Sequence, residues 1–238
     1  MTAQAITLDV GHTLLFPHPS VGHVYTRVGN HHGMQIDARA VEVLFPKHWE
    51  RCQLATTGLI YGTTHEEALD FWHRVNHGVL TDMGVPTAQL QPFVADLYAT
   101  FGRAECWRVN PDLQDLLHAC QDQRIAVGII SNWDLRLRAL LDELHFTTWA
   151  DPVLISAEEC MEKPDARLFH AAASRLGLPP AAILHIGDTW NDDIVAARAC
   201  GMQAAWFNPS GAPSPEPLDG AFDVQSLRAI LPMLEHRH

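Results

Sequence analysis

Lysine is almost missing from this 238-residue sequence: Lys47 and Lys163 are the only two, and the other fourteen basic residues are arginine. Twenty-eight acidic residues against sixteen basic ones give a formal net charge of -12. That balance lacks the clustered cations that nucleic acids and anionic membranes reward, so neither is expected as a partner. Also missing is any apolar run of about eighteen residues, the length a membrane-crossing helix needs. The stretch Met1-Thr2-Ala3-Gln4-Ala5 has neither a basic nor an apolar character, so export is not expected. Five cysteines (Cys52, Cys106, Cys120, Cys160 and Cys200) are widely spaced and odd in number, with no Cys-x-x-Cys pair. They do not make a disulfide framework, and a reducing cytoplasm fits them best. Histidine is plentiful, yet none of the fifteen falls in a His-x-x-x-His pair beside a glutamate, so a zinc site is not expected.

What the chain does have is an apolar run ending in a carboxylate, Ile6-Thr7-Leu8-Asp9, followed at once by the turn residues Val10-Gly11-His12-Thr13. Parallel strands covered on both faces read as continuous apolar runs, and ligands bind at their carboxyl ends. By itself Asp9 reads equally well as a turn cap. Two prolines in Phe16-Pro17-His18-Pro19-Ser20 then stop the strand, and Ser20 suits a helix N-cap. From there to about Ala104 the apolar spacing is helical (Val21, Val24, Tyr25, Val28; Val41, Leu44, Phe45, Trp49; Leu69, Phe71, Trp72, Val75; Leu90, Phe93, Val94, Leu97, Phe101) and predicts four helices. Thr64-His65-Glu66-Glu67 has the form of a capping box, Pro86 suits a first helical turn, and Gly33, Gly62 and Gly84 lie near breaks.

Beyond Trp107 helices alternate with short apolar strands. Asn110-Pro111 opens a helix, and Ile125–Ile130 is a strand running into Ser131-Asn132, followed by a helix through Leu135, Leu137, Leu140, Leu141 and Leu144. Pro152–Ser156 is a weaker strand; Pro164 opens a helix that Gly177 closes; Ile183–Ile186 is a strand ending at Gly187-Asp188. A helix from Asn191 to Cys200, a strand from Gln203 to Phe207, a loop from Pro209 to Gly220 and a last helix around Val224–Leu234 complete the chain. Alternation of this kind means a parallel sheet. The expected fold is α/β, a Rossmann-like doubly wound parallel sheet core made of residues 1–16 and 106–238. An α-helical domain, residues 17–105, is inserted above the carboxyl ends of its strands as a lid.

Four strand ends or loops carry polar groups: Asp9 with Thr13, Ser131-Asn132, Lys163 in Glu162-Lys163-Pro164-Asp165, and Gly187-Asp188-Thr189-Trp190-Asn191-Asp192-Asp193. Clustered carboxylates suit a hard cation such as Mg2+, hydroxyls bind anionic oxygens, and a lone lysine neutralises a phosphoryl group. Singly each has a bland reading as a cap or solvated loop residue; their order and positions after strands point jointly to a phosphate and metal site.

In these four motifs, and in the place of the helical insertion, the sequence resembles the haloacid dehalogenase-like superfamily, subfamily I with a type-1 helical cap. The stretch His18-Pro19-Ser20-Val21-Gly22-His23-Val24-Tyr25 is similar to the Pro-Ser-Val-Gly segment that follows the first motif in one branch. The resemblance implies Asp9 as nucleophile; Thr13, Ser131, Asn132 and Lys163 as phosphate contacts; and Mg2+ on Asp9, the Gly11 backbone carbonyl, Asp188 and Asp193, with Asp192 the alternative to Asp193. It implies hydrolysis of a small phosphorylated metabolite through an aspartyl-phosphate, by a monomer or homodimer in the cytoplasm. One departure matters: phosphatases of the family carry a second aspartate two residues after the nucleophile, and Gly11 stands there. That leaves as alternatives a catalytically weak phosphate- and Mg2+-binding member, a 2-haloacid dehalogenase, or a phosphonatase-type hydrolase, for which Lys47 is the candidate cap lysine. Specificity is expected from cap loops such as residues 56–64.

Overall fold

The computed structural model describes residues 3–55, 60–88 and 90–234. Among these, two compact units divide the chain. One takes in the residues up to Leu15, Val109–Asn132 and those from His145 onward; the other is Phe16–Arg108 with Trp133–Leu144.

The first unit is α/β. Its six-stranded sheet comprises β1 (Ala5–Leu8), β4 (Ala126–Ser131), β5 (Val153–Ile155), β6 (Ile183–Gly187), β7 (Gln203–Phe207) and β8 (Phe222–Val224), in the order β5-β4-β1-β6-β7-β8. The neighbouring strands pair parallel. All four residues of β1 are buried, as a central strand covered on both faces requires. The chain builds outward from β1 through β4 to β5, then returns to place β6 on the other side of β1. Such a reversal opens a crevice at the carboxyl ends of the strands. Ile130, Leu154, Ile183 and Ala204 from the sheet pack with Leu168, Phe169 and Ala172 of α8 (Ala166–Leu176). Gly177 ends α8 in the left-handed region, φ 67°, where glycine meets no steric penalty.

The second unit is helical: α1 (Val21–His31), α2 (Ala38–Ala55), α3 (His65–Asp82) and α4 (Leu90–Phe101), the four helices the spacing predicts. Ser20 caps α1, and the Thr64 capping box is complete. Val24, Tyr25 and Val28 of α1 meet Val41, Val79, Phe93 and Leu97 in one core, and Tyr61 stacks on Phe71 at 4.2 Å in an aromatic cluster beside it. The helix α6 (Arg136–Glu143) follows β4 in sequence but groups with this unit. Its lead-in explains why: buried Asp134 accepts from Trp72 Nε1 (3.1 Å) and from Arg136 Nε (2.8 Å) and Nη2 (2.6 Å), while Arg136 Nη1 donates to the Tyr98 carbonyl (2.8 Å).

The helix expected through Leu135–Leu144 is α6, which starts at Arg136 after the Asp134–Arg136 pair. Several other local expectations need correction. Pro164 lies before α8, whose N-cap is Asp165; Pro86 lies outside α4; and Phe222–Val224 is a strand rather than helix, with helix only from Leu227 onward. Leu15–Pro17 (β2) and Trp107–Val109 (β3) pair as a small two-stranded sheet that the sequence reading does not contain. Residues 56–59 of the expected specificity loop lie outside the described residues. The five cysteines are free, and among the described residues no helix is long and apolar enough to cross a membrane.

Candidate active site

Asp9 follows β1 at the reversal of the sheet, and its backbone N–H donates to the Ile186 carbonyl at 2.9 Å, extending the ladder by one residue. Leu8 is level with Ile129 and Ile186, so Ser131 and Asp188, each two residues further on, leave their strands beside Asp9. Ser131 Oγ donates to Asp9 Oδ1 at 3.2 Å. Lys163, only 4% exposed, comes from the loop between α7 (Ser156–Glu159) and α8. Its Nζ bridges two carboxylates, 2.7 Å from Asp9 Oδ1 and 2.5 Å from Asp193 Oδ1.

Asn132, implied by the resemblance as a phosphate contact, also bonds the lysine loop. Its Nδ2 donates to the Lys163 carbonyl (2.8 Å) and its Oδ1 accepts from the Lys163 N–H (2.7 Å). With both ends of the amide on one backbone residue, Asn132 fixes where the lysine loop sits.

On the opposite side, Thr13 Oγ1 donates to Asp188 Oδ1 at 3.4 Å, and Trp206 Nε1 donates to the Asp188 carbonyl at 2.8 Å. The helix expected from Asn191 to Cys200 begins as a π-helical turn over Trp190–Val195, a widening often found at functional sites, and becomes α-helical over Ala196–Ala199. Within it Asp193, fully buried, accepts from the Thr189 N–H (2.9 Å) and from His185 Nε2 (3.1 Å) besides Lys163. Gly187 makes room: a Cβ there would stand 2.2 Å from Asp193 Cγ. The result is a group of three carboxylates, Asp9, Asp188 and Asp193, with one oxygen from each within 4.8 Å of the others; Asp192 is not in it. Gly11 lies in the turn two residues after Asp9, paired with Leu15. The positive φ of that turn falls on exposed His12 (54°), not on the glycine.

Burial pushes the Asp9 carboxyl up against the pull of Lys163. Burial, then repulsion from Asp9 and Asp193, pushes Asp188 up to about 8. Asp192 is pushed up to about 6, again mainly by burial. For Asp193, burial is outweighed by Lys163 and by the His185 hydrogen bond, which hold it below the usual carboxylate range. Lys163 in turn is held above its usual range, because Asp193 and Asp9 outweigh its own burial. Two buried carboxylates and one half-buried one thus face one ammonium. This all-oxygen, negatively unbalanced donor set fits a hard divalent cation such as Mg2+.

Three groups in this arrangement escape a reading of the sequence: His185, Thr7 behind it, and Trp206. The signal for the first two is a polar residue interrupting each of two otherwise apolar strands, Ile6-Thr7-Leu8 and Leu184-His185-Ile186.

Residues 3–201 match the haloacid dehalogenase-like hydrolase family. The chain is 32% identical over 238 residues to a haloacid dehalogenase-like hydrolase domain-containing protein 3 of Bos taurus, covering 98% of this chain and 91% of the relative. Among solved structures, magnesium-bound YfnB from Bacillus subtilis superposes with a TM-score of 0.75 at 15% identity, covering 99% of this chain and 100% of that one. The L-2-haloacid dehalogenase from Xanthobacter autotrophicus does so with a TM-score of 0.71 at 20% identity, over 100% of both chains.

Proposed function

Given that the chain belongs to the haloacid dehalogenase-like hydrolases, we propose that it is a Mg2+-dependent phosphatase acting on phosphomonoesters of small metabolites in the cytoplasm. The observation that carries this reading is the convergence of Asp188 and Asp193 on Asp9 within 4.8 Å, beside a buried lysine. A carbon-attacking dehalogenase has no use for two further carboxylates around its nucleophile, since they repel the substrate's own carboxylate.

In the proposed reaction an Asp9 oxygen attacks phosphorus in line, the P–O bond to the alcohol breaks, and an aspartyl-phosphate forms on Asp9. Water then attacks that phosphorus and returns the carboxylate. Lys163 Nζ and Ser131 Oγ, 2.7 Å and 3.2 Å from Asp9 Oδ1, are placed to hold the phosphoryl oxygens through both steps. Mg2+, when held by Asp9, Asp188, Asp193 and the Gly11 carbonyl, supplies positive charge to the phosphoryl group and offsets the carboxylate repulsion. Asn132 keeps Lys163 at its post, and Thr13 steadies Asp188. With Gly11 in place of a second acid, a leaving alkoxide receives no proton from position 11.

Turnover of p-nitrophenyl phosphate with Mg2+ and with EDTA tests the reading. Release that needs Mg2+ and falls with Asp188→Ala and Asp193→Ala, but less with Asp192→Ala, is expected. Metal-independent dehalogenation of a 2-halocarboxylate, without phosphatase activity, would replace it.

A further inference from the structure

Thr7 and His185 are Cα partners on adjacent parallel strands, so their side chains stand side by side on one face of the sheet. Both are fully buried, each the single polar residue in its stretch of strand. Thr7 Oγ1 is 2.9 Å from His185 Nδ1, and His185 Nε2 is 3.1 Å from Asp193 Oδ1. The Phe169 ring stands edge-on to the imidazole at 5.2 Å. An apolar pair would fill this rung of the core at no desolvation cost, whereas a buried imidazole and hydroxyl cost stability unless fully hydrogen-bonded. The polar pair therefore has a purpose outside the packing, and its one outlet is Asp193.

We infer that Thr7 and His185 are positioning residues that aim the Asp193 carboxylate into the cation site. Asp193 as a carboxylate only accepts, so His185 Nε2 carries the hydrogen of that bond. The Thr7 hydroxyl, able to donate or accept, engages the other ring nitrogen at 2.9 Å and so fixes the ring's orientation. Lys163 Nζ and the Thr189 N–H hold Asp193 from other directions. Of the three donors only His185 comes from the rigid centre of the sheet, so it sets the carboxylate against β6 rather than against a loop. The inference rests on the proposed Mg2+ reading of the site.

Mg2+ titration by calorimetry, paired with melting curves, tests it without reference to turnover. Thr7→Val/His185→Leu replaces the pair with apolar side chains of similar size. It should fold with a melting temperature near wild type and bind Mg2+ about tenfold to a hundredfold more weakly, the usual loss when a ligand's supporting hydrogen bond is removed. His185→Gln keeps an amide N–H able to reach Asp193, and should recover most of the affinity. A folded double variant with wild-type Mg2+ affinity overturns the inference, as does a glutamine variant no better than the leucine one. Should the double variant not fold, Thr7→Val alone decides: weakened Mg2+ binding upholds the inference, unchanged binding overturns it. Wild-type protein that binds no Mg2+ sinks the proposed function, and this inference with it; intact binding in every variant sinks this inference alone.

Discussion

Asp9 is held by Ser131 and Lys163 on one oxygen, so exchanging it for asparagine removes charge while keeping shape. Asp9→Asn is expected to lose hydrolysis to background and still bind orthovanadate, because an amide is a poor nucleophile; turnover near wild type, free of contaminating phosphatase, would take Asp9 out of the nucleophile role. Gly11 invites the opposite experiment. The left-handed backbone of the turn falls on His12, so a side chain at position 11 meets no φ penalty. Gly11→Asp should speed hydrolysis of alkyl phosphates by up to about 10^2, and of p-nitrophenyl phosphate much less, since only an alkoxide needs a proton to leave. No gain with Gly11→Asp, together with a large loss of alkyl phosphate turnover in His12→Ala, would show that His12 has taken the acid's place. At this scale, the residues legible in the sequence are those whose chemistry is written at their own position: a carboxylate, hydroxyl or lysine just after an apolar strand. Those acting across the sheet are not. Asn132 reads as a ligand residue, yet its amide is committed to a backbone 31 residues away, and His185 reads as an ordinary strand residue until its neighbour on β1 is known.

Elements were legible where their period was long. Four amphipathic helices of 11 to 18 residues announce themselves by spacing, and the buried strands by apolar runs. β2 and β3, three residues each, are too short to show a period, and Pro17 argues against a strand except at an edge. The π-helical turn at Trp190–Val195 was equally hidden, since one extra residue in a turn leaves the apolar pattern of Ile194 and Ala197 intact. α6 follows a strand as a helix of the sheet layer should, and only the buried partners of Asp134 and Arg136 place it with the helical unit. Those partners make the joint a point of weakness. Asp134→Ala leaves the Arg136 side chain, 8% exposed, without its counter-charge, and should lower stability by about 3–5 kcal/mol. Chemical denaturation measures it. Asp134→Ala combined with Arg136→Met should recover much of the loss, because the stranded charge rather than the missing pair is the main penalty.

For the molecule as a whole, the half-buried carboxylates of the site set a pH dependence of unusual sign. A carboxyl whose folded pKa stands above its unfolded value holds its proton more tightly when folded, so the stability it contributes at low pH is lost as pH rises through the folded value. Asp192 at about 6 and Asp188 at about 8 both act in this direction, starting from an ordinary 3.8. Asp193 acts oppositely, but below the ordinary carboxylate range, and so leaves this window untouched. In EDTA the melting temperature should therefore fall as pH rises from about 4 to about 8 and level off above that. Mg2+ should raise it most on the alkaline side, where the carboxylates are free to bind; a flat profile with no Mg2+ effect would refute the electrostatic account of the site. The scarcity of lysine has a practical consequence too. One of the two, Lys47, lies exposed on α2, and the other, Lys163, is sealed at 4% exposure between Asp9 and Asp193. An amine-directed acylating reagent should mark Lys47 within its normal reaction time and Lys163 only when the site opens. Two peptides from a single digest then serve as a stopwatch and its reference, one timing the breathing of the buried centre and the other the reagent itself.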